Sequence, residues 1–387
     1  MSRAASGSWQ LVRDRDGFAQ LEERWRLLET QWEGGTPFQS FAWCNQWLKY
    51  RGKGYTPFIL VNIDRSVIAP FATTIVGRTR VLRLIGTGDS DYLGLVTSIS
   101  PGEAWRAVIA ELHERKDEWH VLHLHSIKQK DDILSALRPY QGISVIERDY
   151  EKCPRLPISG TWEAYLGRRK KVKYESRRWA KRVNESGAVT VDSVALPLSS
   201  ELVREMIDVE RESWKWELGT AVLKPGEQAD FVCAVLQDPQ MAARVWCLRT
   251  NAKLAAFAVV FEDKAGWYYY LPSFRNSCTN AGAHLLSCIV EEAFRHGCGF
   301  ADLLQGDHGY KSLWTDQIIG VAEILASNSL WGRLLLLGYL ARWKASQSGT
   351  IRRLRDTFGK VGDRRSVPTV ENVLVISLLV GLVGFLR

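Results

Sequence analysis

The sequence predicts an α/β protein of mixed, mostly antiparallel sheets flanked by helices, and three observations carry that prediction. The apolar runs ARVWCLRT, KLAAFAVVFED and AGWYYYLPSF crowd together between residues 243 and 274. Only short polar turns, Asn251-Ala252 and Asp263-Lys264, separate them, which is the pattern of an antiparallel meander. Segments of helical period stand on either side. The layout strand, polar turn, A-x-F-A also occurs twice, placing Ala69-Pro70-Phe71-Ala72 onto Ala255-Ala256-Phe257-Ala258. That echo predicts two halves built as versions of one α/β unit. A chain of 387 residues suits two domains, expected at 1–156 and 157–327, with 328–387 a helical extension ending in an apolar tail.

In the first half, WQLVRD reads as a strand and FAQLEERWRLLETQW as a helix. TPFQSFAWCNQWLKY is helical from Ser40. TPFILVNI, SVIAPFATTIVG, RVLRLIG and HVLHLHSI are strands by alternation, and DDILSALRPY is a short helix. The second half opens with TWEAYLGRRKKVKYESRRWAKRVNESG, read as one helix closed by a C-capping Gly187. A strand, AVTVDSVA, and two helices, SSELVREMIDVERESWKWE and EQADFVCAVLQD, lead into the meander. The helix AGAHLLSCIVEEAFRHG and the strands GFADLLQ and IIGVAEILA complete the core. LWGRLLLLGYLARWK and TIRRLRDTF are appended helices with one apolar face each.

Composition narrows the setting. With 46% hydrophobic and 24% charged residues the chain is an ordinary folded one. Its net charge of +8 favours anionic partners: phosphates, nucleic acid or an acidic membrane surface. Seven cysteines without a C-x-x-C pair argue against a disulfide framework or zinc knuckle and for a reducing compartment. MSRAASGSWQ has no apolar signal core, so the cytoplasm is expected. VLVISLLVGLVGFL (373–386) is shorter than the ~20 residues of a spanning helix. Following Arg352, Arg353, Arg355, Arg364 and Arg365, it reads as a helix docked or lying at the inner membrane face.

Two stretches carry local chemistry. After the third meander strand, the loop RNSCTN leads to a helix start near Asn280 with the small pair Gly282-Ala283. Bare N–H groups there, helped by the helix dipole, suit a phosphate, with Arg275 as counter-charge; capping by Thr279 or Asn280 is the alternative use. Residues 168–182 carry nine Lys or Arg and one acid, Glu175. Val172, Trp179 and Val183 form an inward stripe, leaving the cations for a substrate phosphate, a cofactor phosphate or lipid headgroups. No RNP, zinc-finger or helix-turn-helix pattern is present, so nucleic acid is not an expected partner. His120, His123 and His125 have no carboxylate or Cys nearby in sequence to complete a metal set, and no metal is assigned. Trp214 and Trp216 are candidates to line an acceptor site, and Ser90, Asp91 and Tyr92 to face a groove between domains.

The segments SRRWAKRVNESGAVTV, RESWKWE, WYYYLPSFRNSCTNAGAHLLSCIVEEAFRHG and FADLLQGDHGYKSLWTD, with PFQSFAWCNQWLKY and GTGDSDYLGL, resemble the GNAT acyltransferase superfamily. Within it they are similar to the CelD-like cellulose-biosynthesis acetyltransferases, relatives of the FemAB peptidyltransferases. The resemblance covers most of residues 35–325. It implies tandem GNAT-like domains that move an acyl group from acetyl-CoA or another acyl-CoA, without a metal. The acceptor it implies is an amine or hydroxyl of a sugar or exopolysaccharide precursor. By this resemblance the 265–273 strand offers N–H groups to an oxyanion. Tyr310 is the thiolate acid, and Asp302, Asp307 and His308 are candidates for the base. Arg275, Thr279, Asn280, Ala281, Gly282 and Ala283 would hold the pyrophosphate. Lys311, Trp214, Ser90, Asp91, Tyr92, Arg177 and Arg178 would contact substrate. One departure stands out: the usual loop is Gln/Arg-x-x-Gly-x-Gly/Ala, and Thr279 occupies its first position. FemAB-type members use aminoacyl-tRNA, which is the alternative donor. A non-catalytic scaffold of an exopolysaccharide assembly is the alternative outside enzymes.

Overall fold

A computed structural model describes residues 9–32, 34–62, 66–306 and 309–347. In chain order the elements begin with β1 (Trp9–Val12), α1 (Arg15–Ala19), α2 (Glu22–Gln31), α3 (Phe41–Tyr50), β2 (Thr56–Asn62), β3 (Val67–Val76) and β4 (Thr79–Leu84). Next come β5 (Val96–Thr97), α4 (Pro101–Glu114), β6 (Val121–Ile127), α5 (Lys130–Leu137) and β7 (Ser144–Pro157). The chain continues through α6 (Trp162–Arg168), α7 (Lys170–Asn184), β8 (Val189–Ala195), α8 (Ser200–Arg211), α9 (Trp214–Glu217) and α10 (Glu227–Leu236). It ends with β9 (Ala243–Thr250), β10 (Lys253–Glu262), β11 (Gly266–Phe274), α11 (Ala281–His296), β12 (Phe300–Asp302), β13 (Ile318–Ser327) and α12 (Leu330–Gln347).

Two compact units share these elements. Unit 1 takes the described residues up to Trp32, from Gly54 to Asp149 and from Ala322 onward; unit 2 takes those of 33–53 and 150–321. The division is therefore interleaved, where the sequence had suggested breaks after 156 and 327. Both units repeat one strand order. In unit 1, β1, β2, β3 and β4 are successive antiparallel neighbours, β6 lies parallel to β4, and β13 is antiparallel to β6. In unit 2, β8, β9, β10 and β11 form the antiparallel run, β12 lies parallel to β11, and β7 is antiparallel to β12. The parallel pairs need long crossovers, which contain α4 in one unit and α11 in the other. The A-x-F-A echo falls on β3 and β10, the third strand of each run.

Each sheet is covered on both faces. In unit 1, Phe71, Leu82 and Leu122 pack with Trp105 and Val108 of α4. On the other face Val81, Val121 and Leu325 meet Leu335, Leu336 and Tyr339 of α12. In unit 2, Trp246, Ala258, Trp267 and Tyr269 pack under Val172 and Trp179 of α7 and Leu285 and Ile289 of α11. The reverse face is aromatic: Phe38 and Trp43 meet Phe261 and Tyr270 with ring centroids 5.7–5.8 Å apart. This contact explains why α3 belongs to unit 2.

Several expectations need correction. The helix expected to run from Thr161 to Gly187 is broken at Arg169, whose φ of −108° and ψ of 65° are not helical. Gly167 weakens the helix there, and the four adjacent cations 168–171 repel one another. Gly187 is not the C-cap, because α7 ends at Asn184; at Gly187 a Cβ would meet Asn251 at 2.3 Å, so the glycine admits that side chain. The expected helix over 18–32 is two, and the break brings Phe18 and Trp25 edge to face at 5.6 Å, whereas an unbroken helix would hold them about 10 Å apart along its axis. The helix expected through Trp216 stops at Arg211. Helix α4 and strand β7 had no counterpart in the sequence reading. TIRRLRDTF and the apolar tail lie outside the described residues.

Candidate active site

The site begins with an incomplete strand pair. β11 and β12 pair in parallel only at Gly266↔Phe300, Trp267↔Ala301 and Tyr268↔Asp302. β12 then ends, while β11 continues to Phe274. Among the described residues no strand pairs with this free edge of β11. Along that edge Pro272 has no N–H, and its carbonyl accepts from Lys215 Nζ; the other main-chain groups have no strand partner there. Gly266 permits the initial close approach, since a Cβ there would lie 2.5 Å from the Phe300 ring.

The end of β12 is held by two buried charges that the sequence had offered for chemistry. Asp302 is fully buried; its Oδ2 accepts from Arg155 at 2.8 Å and its Oδ1 from the Leu304 N–H at 2.7 Å. Arg155 in turn lies 4.0 Å from the Phe300 ring centroid. A carboxylate so engaged ties β7 to β12, both of its oxygens already accepting hydrogen bonds. Lys311 is 4% exposed, and its Nζ donates to Leu304 O at 3.0 Å and Gln305 O at 2.7 Å. It therefore secures the turn in which Leu304 takes a left-handed φ of 59°, and is not available to a substrate.

Lys311 thereby anchors the neighbouring Tyr310. The Tyr310 ring is 43% exposed, yet the protein packed around its phenol removes enough water to push its pKa up to about 12. It is protonated at neutral pH, as a proton donor must be. Tyr269 on β11, missed in the sequence reading, is buried; burial and then the adjacent Tyr310 phenol raise its pKa well above the ordinary value. The run WYYYL was the signal, but nothing in it distinguishes the middle tyrosine. Asp307 and His308, the other base candidates, lie outside the described residues.

Helix α11 supplies the second part. Asn280 precedes it with a left-handed φ of 67°, and no side chain caps the helix. The capping alternative for Thr279 or Asn280 therefore does not hold. Ala281 N–H reaches Cys278 O at 3.3 Å, His284 N–H reaches Asn280 O at 2.9 Å, and the intervening N–H groups of Gly282 and Ala283 have no partner among the described residues. No acidic residue sits in the first turn. Gly282 is small for a packing reason too, as a Cβ would meet Phe274 Cδ1 at 2.6 Å. Arg275 is buried: Nε donates to Leu254 O at 2.7 Å, and Nη1 pairs with Glu212. It braces the loop more than it offers a free counter-charge. A cavity of ≈ 380 Å³ opens on this loop, lined by Lys253, Arg275, Ser277 and Cys278 among others.

The remaining candidates are dispersed. Trp214 is 41% exposed, its N–H bonded to Asn276 Oδ1 at 3.1 Å. Trp216 carries Arg211 and Lys224 over its ring at 5.7 and 5.6 Å. Arg177 and Arg178 are exposed on α7, the latter 2.7 Å from Glu175. Ser90, Asp91 and Tyr92 belong to unit 1, in the loop that follows β4. There β4 and β6 pair at Val81↔Val121 and Leu82↔Leu122, and the following loop returns to fill the space beyond. Leu93 bridges Ile127, its N–H donating to Ser126 O at 2.9 Å, and Tyr92 is fully buried. The opening left in unit 2 is thus closed in unit 1 by its own chain. His123 Nε2 lies 2.7 Å from Glu323 Oε1, a carboxylate supplied from 200 residues away. Among the described residues no group of His, Cys, Asp and Glu could hold a metal ion, and no helix is long and apolar enough to cross a membrane.

A split parallel pair beside an uncapped helix start thus occurs in one of two units that share a strand order. Residues 168–312 match the acetyltransferase (GNAT) domain family. No curated protein matches the chain. Among solved structures, the chain is similar to FemX, with a TM-score of 0.58 at 12% identity, covering 82% of this chain and 98% of that one. The C-terminal domain of a putative lysylphosphatidylglycerol synthetase from Agrobacterium fabrum is similar with a TM-score of 0.54 at 13% identity, over 83% and 95% of the two chains. A protein of unknown function from Bacteroides thetaiotaomicron gives 0.54 at 10%, over 82% and 100%. At these identities the likeness is one of fold. None of these likenesses shows the CelD-like branch.

Proposed function

We propose that unit 2 is an acyltransferase that moves an acetyl or other acyl group from acyl-CoA to an amine or hydroxyl of a saccharide or cell-envelope precursor. The observation that carries this reading is the open edge of β11 lying between a protonated Tyr310 and the bare N–H groups at the start of α11. Several features fit the donor. The uncapped amides of Gly282 and Ala283 suit a pyrophosphate, and the cavity bordered by Lys253 and Ser277 provides room and positive charge beside them. When bound, the thioester supplies an activated carbonyl and a thiolate leaving group. The β11 main chain would donate to the carbonyl oxygen as negative charge develops on it. Tyr310 would give its phenolic proton to the departing sulfur. Unit 1 lacks such an opening, so we assign the chemistry to unit 2 alone. The envelope character of the acceptor rests on the resemblance to CelD-like acetyltransferases.

Aminoacyl-tRNA is the competing donor, favoured by Thr279 at the loop position where GNAT members carry Gln or Arg. An acyl-transfer assay with acetyl-CoA tests the proposal through Tyr310→Phe. Loss of the proton donor should lower kcat by about 10²-fold or more with little change in melting temperature, because the ring is partly exposed. Unchanged kcat would remove Tyr310 from the mechanism. Transfer from aminoacyl-tRNA and none from acetyl-CoA would replace the donor.

A further inference from the structure

Charge on this chain is unevenly placed. Of its 51 Lys and Arg, nine lie in residues 168–182; of its 43 Asp and Glu, one does; the 42 of each sign that remain cancel. The net +8 is therefore the charge of one segment, most of which is α7. Two of the nine are engaged, Arg169 with Asp316 and Arg178 with Glu175. On α7 itself Lys170, Lys171, Lys173, Arg177, Lys181 and Arg182 make no ion pair among the described residues. Such a concentration repels itself, and a folded helix tolerates it at a cost that an anionic partner removes.

The geometry of the face narrows the partner. Val172, Trp179 and Val183 are buried against unit 2, so the opposite side of α7 is outer surface. At 100° per residue the unpaired cations spread over about half the circumference, and from Lys170 to Arg182 they extend about 18 Å. Tyr174 lies near their centre, 64% exposed. Four of the six unpaired cations are lysines, point charges on flexible stems without the forked geometry that reads a phosphate bidentately. A tyrosine amid such charges fits the headgroup level of a bilayer, where its ring and hydroxyl are both accommodated. At the head of the helix a cavity of ≈ 200 Å³ is lined by Arg169 and Lys171 on one side and Gly309 and Ser312 on the other. The charged face thus adjoins the turn that carries Tyr310.

From these observations we propose that the outer face of α7 docks onto an anionic lipid surface, holding the Tyr310 turn at that surface. The proposal does not depend on which acyl donor is used. Its test is co-sedimentation of the full chain with vesicles of phosphatidylcholine alone or of equimolar phosphatidylcholine and phosphatidylglycerol. The protein should pellet with the anionic vesicles at low salt and be released as salt shortens the screening length. A Lys171→Gln, Lys173→Gln, Arg177→Gln and Lys181→Gln variant should lose several-hundredfold in partitioning, at roughly fivefold per charge. Tyr174→Ser should weaken binding without changing its salt dependence. Lys53→Gln with Lys264→Gln, exposed cations outside the segment, should bind as the wild type does. An unchanged melting curve for the four-site variant shows that it is folded. The proposal is overturned by absence of binding at low salt, or by a four-site variant that binds undiminished, which would put attachment elsewhere on the chain. Salt-sensitive retention of tRNA by a protein that ignores the vesicles would overturn it in favour of RNA.

Discussion

Asp302 and Tyr310 stand eight residues apart and illustrate how burial divides similar candidates. Asp302 is fully buried against Arg155, and breaking such a pair leaves an uncompensated guanidinium. Asp302→Asn should therefore destabilise the protein by about 3 kcal/mol, seen as a lower melting temperature, while kcat per folded molecule is retained. A general base would give the reverse: lost kcat at an unchanged melting temperature. The sequence made Tyr310 visible, because a tyrosine follows a strand and a Gly-Asp turn. It could not reveal the fate of Asp302, whose partner lies 147 residues earlier. Nor could it reveal that of Lys311, whose acceptors are carbonyls turned inward by the left-handed Leu304. Long-range ion pairs and single backbone dihedrals leave no periodic trace.

Among the elements, the β11–β12 pair depends on a glycine. An added methyl at Gly266 would lie 2.5 Å from the Phe300 ring, so Gly266→Ala must either push the strands apart or displace the ring. A loss of about 2 kcal/mol is expected, with faster amide exchange in Phe300–Asp302, and normal exchange there would show that the approach is not tight. Most elements were readable from pattern: the meander, α11 with its closing Gly297 at φ 73°, and α3 from its Ser40 cap, which accepts from Trp43 N–H at 3.2 Å. Three helices were joined in error because periodicity persists across a break that packing imposes. Helix α4 was missed although Ser100, Pro101 and Glu103 announce it: Ser100 Oγ accepts from Glu103 N–H and donates to its carboxylate. Strand β7 alternates between half-buried and exposed residues over much of its length, which gives little hydrophobic signal.

For the whole molecule, repetition of one strand order explains the A-x-F-A echo, and the loop at Leu93 explains why only one copy offers an opening. The interleaved division was not readable, since it arises from β7 and β13 each crossing between units and from α3 packing with unit 2. Unit 1 is secured by Glu323. Burial opposes its charge, but hydrogen bonds from His123 and Tyr339 together with Arg148 prevail and hold its pKa at about 2. Because this folded value is depressed, the stabilisation is complete above the unfolded carboxyl range near 4.3 and is lost as pH falls toward about 2. Acid titration of stability should show this loss, and Glu323→Gln, less stable by about 3 kcal/mol or more at neutral pH, should lack that part of it. Equal acid sensitivity in both proteins would place the titrating group elsewhere.

The open edge of β11 in unit 2 is where the donor should bind, and amide hydrogen exchange of the full chain with and without saturating acetyl-CoA tests this most directly. Protection should concentrate in Tyr269–Phe274 and at the start of α11, 281–284, with unit 1 unchanged. Protection confined to unit 1, or none in either segment while the ligand is bound, would contradict it.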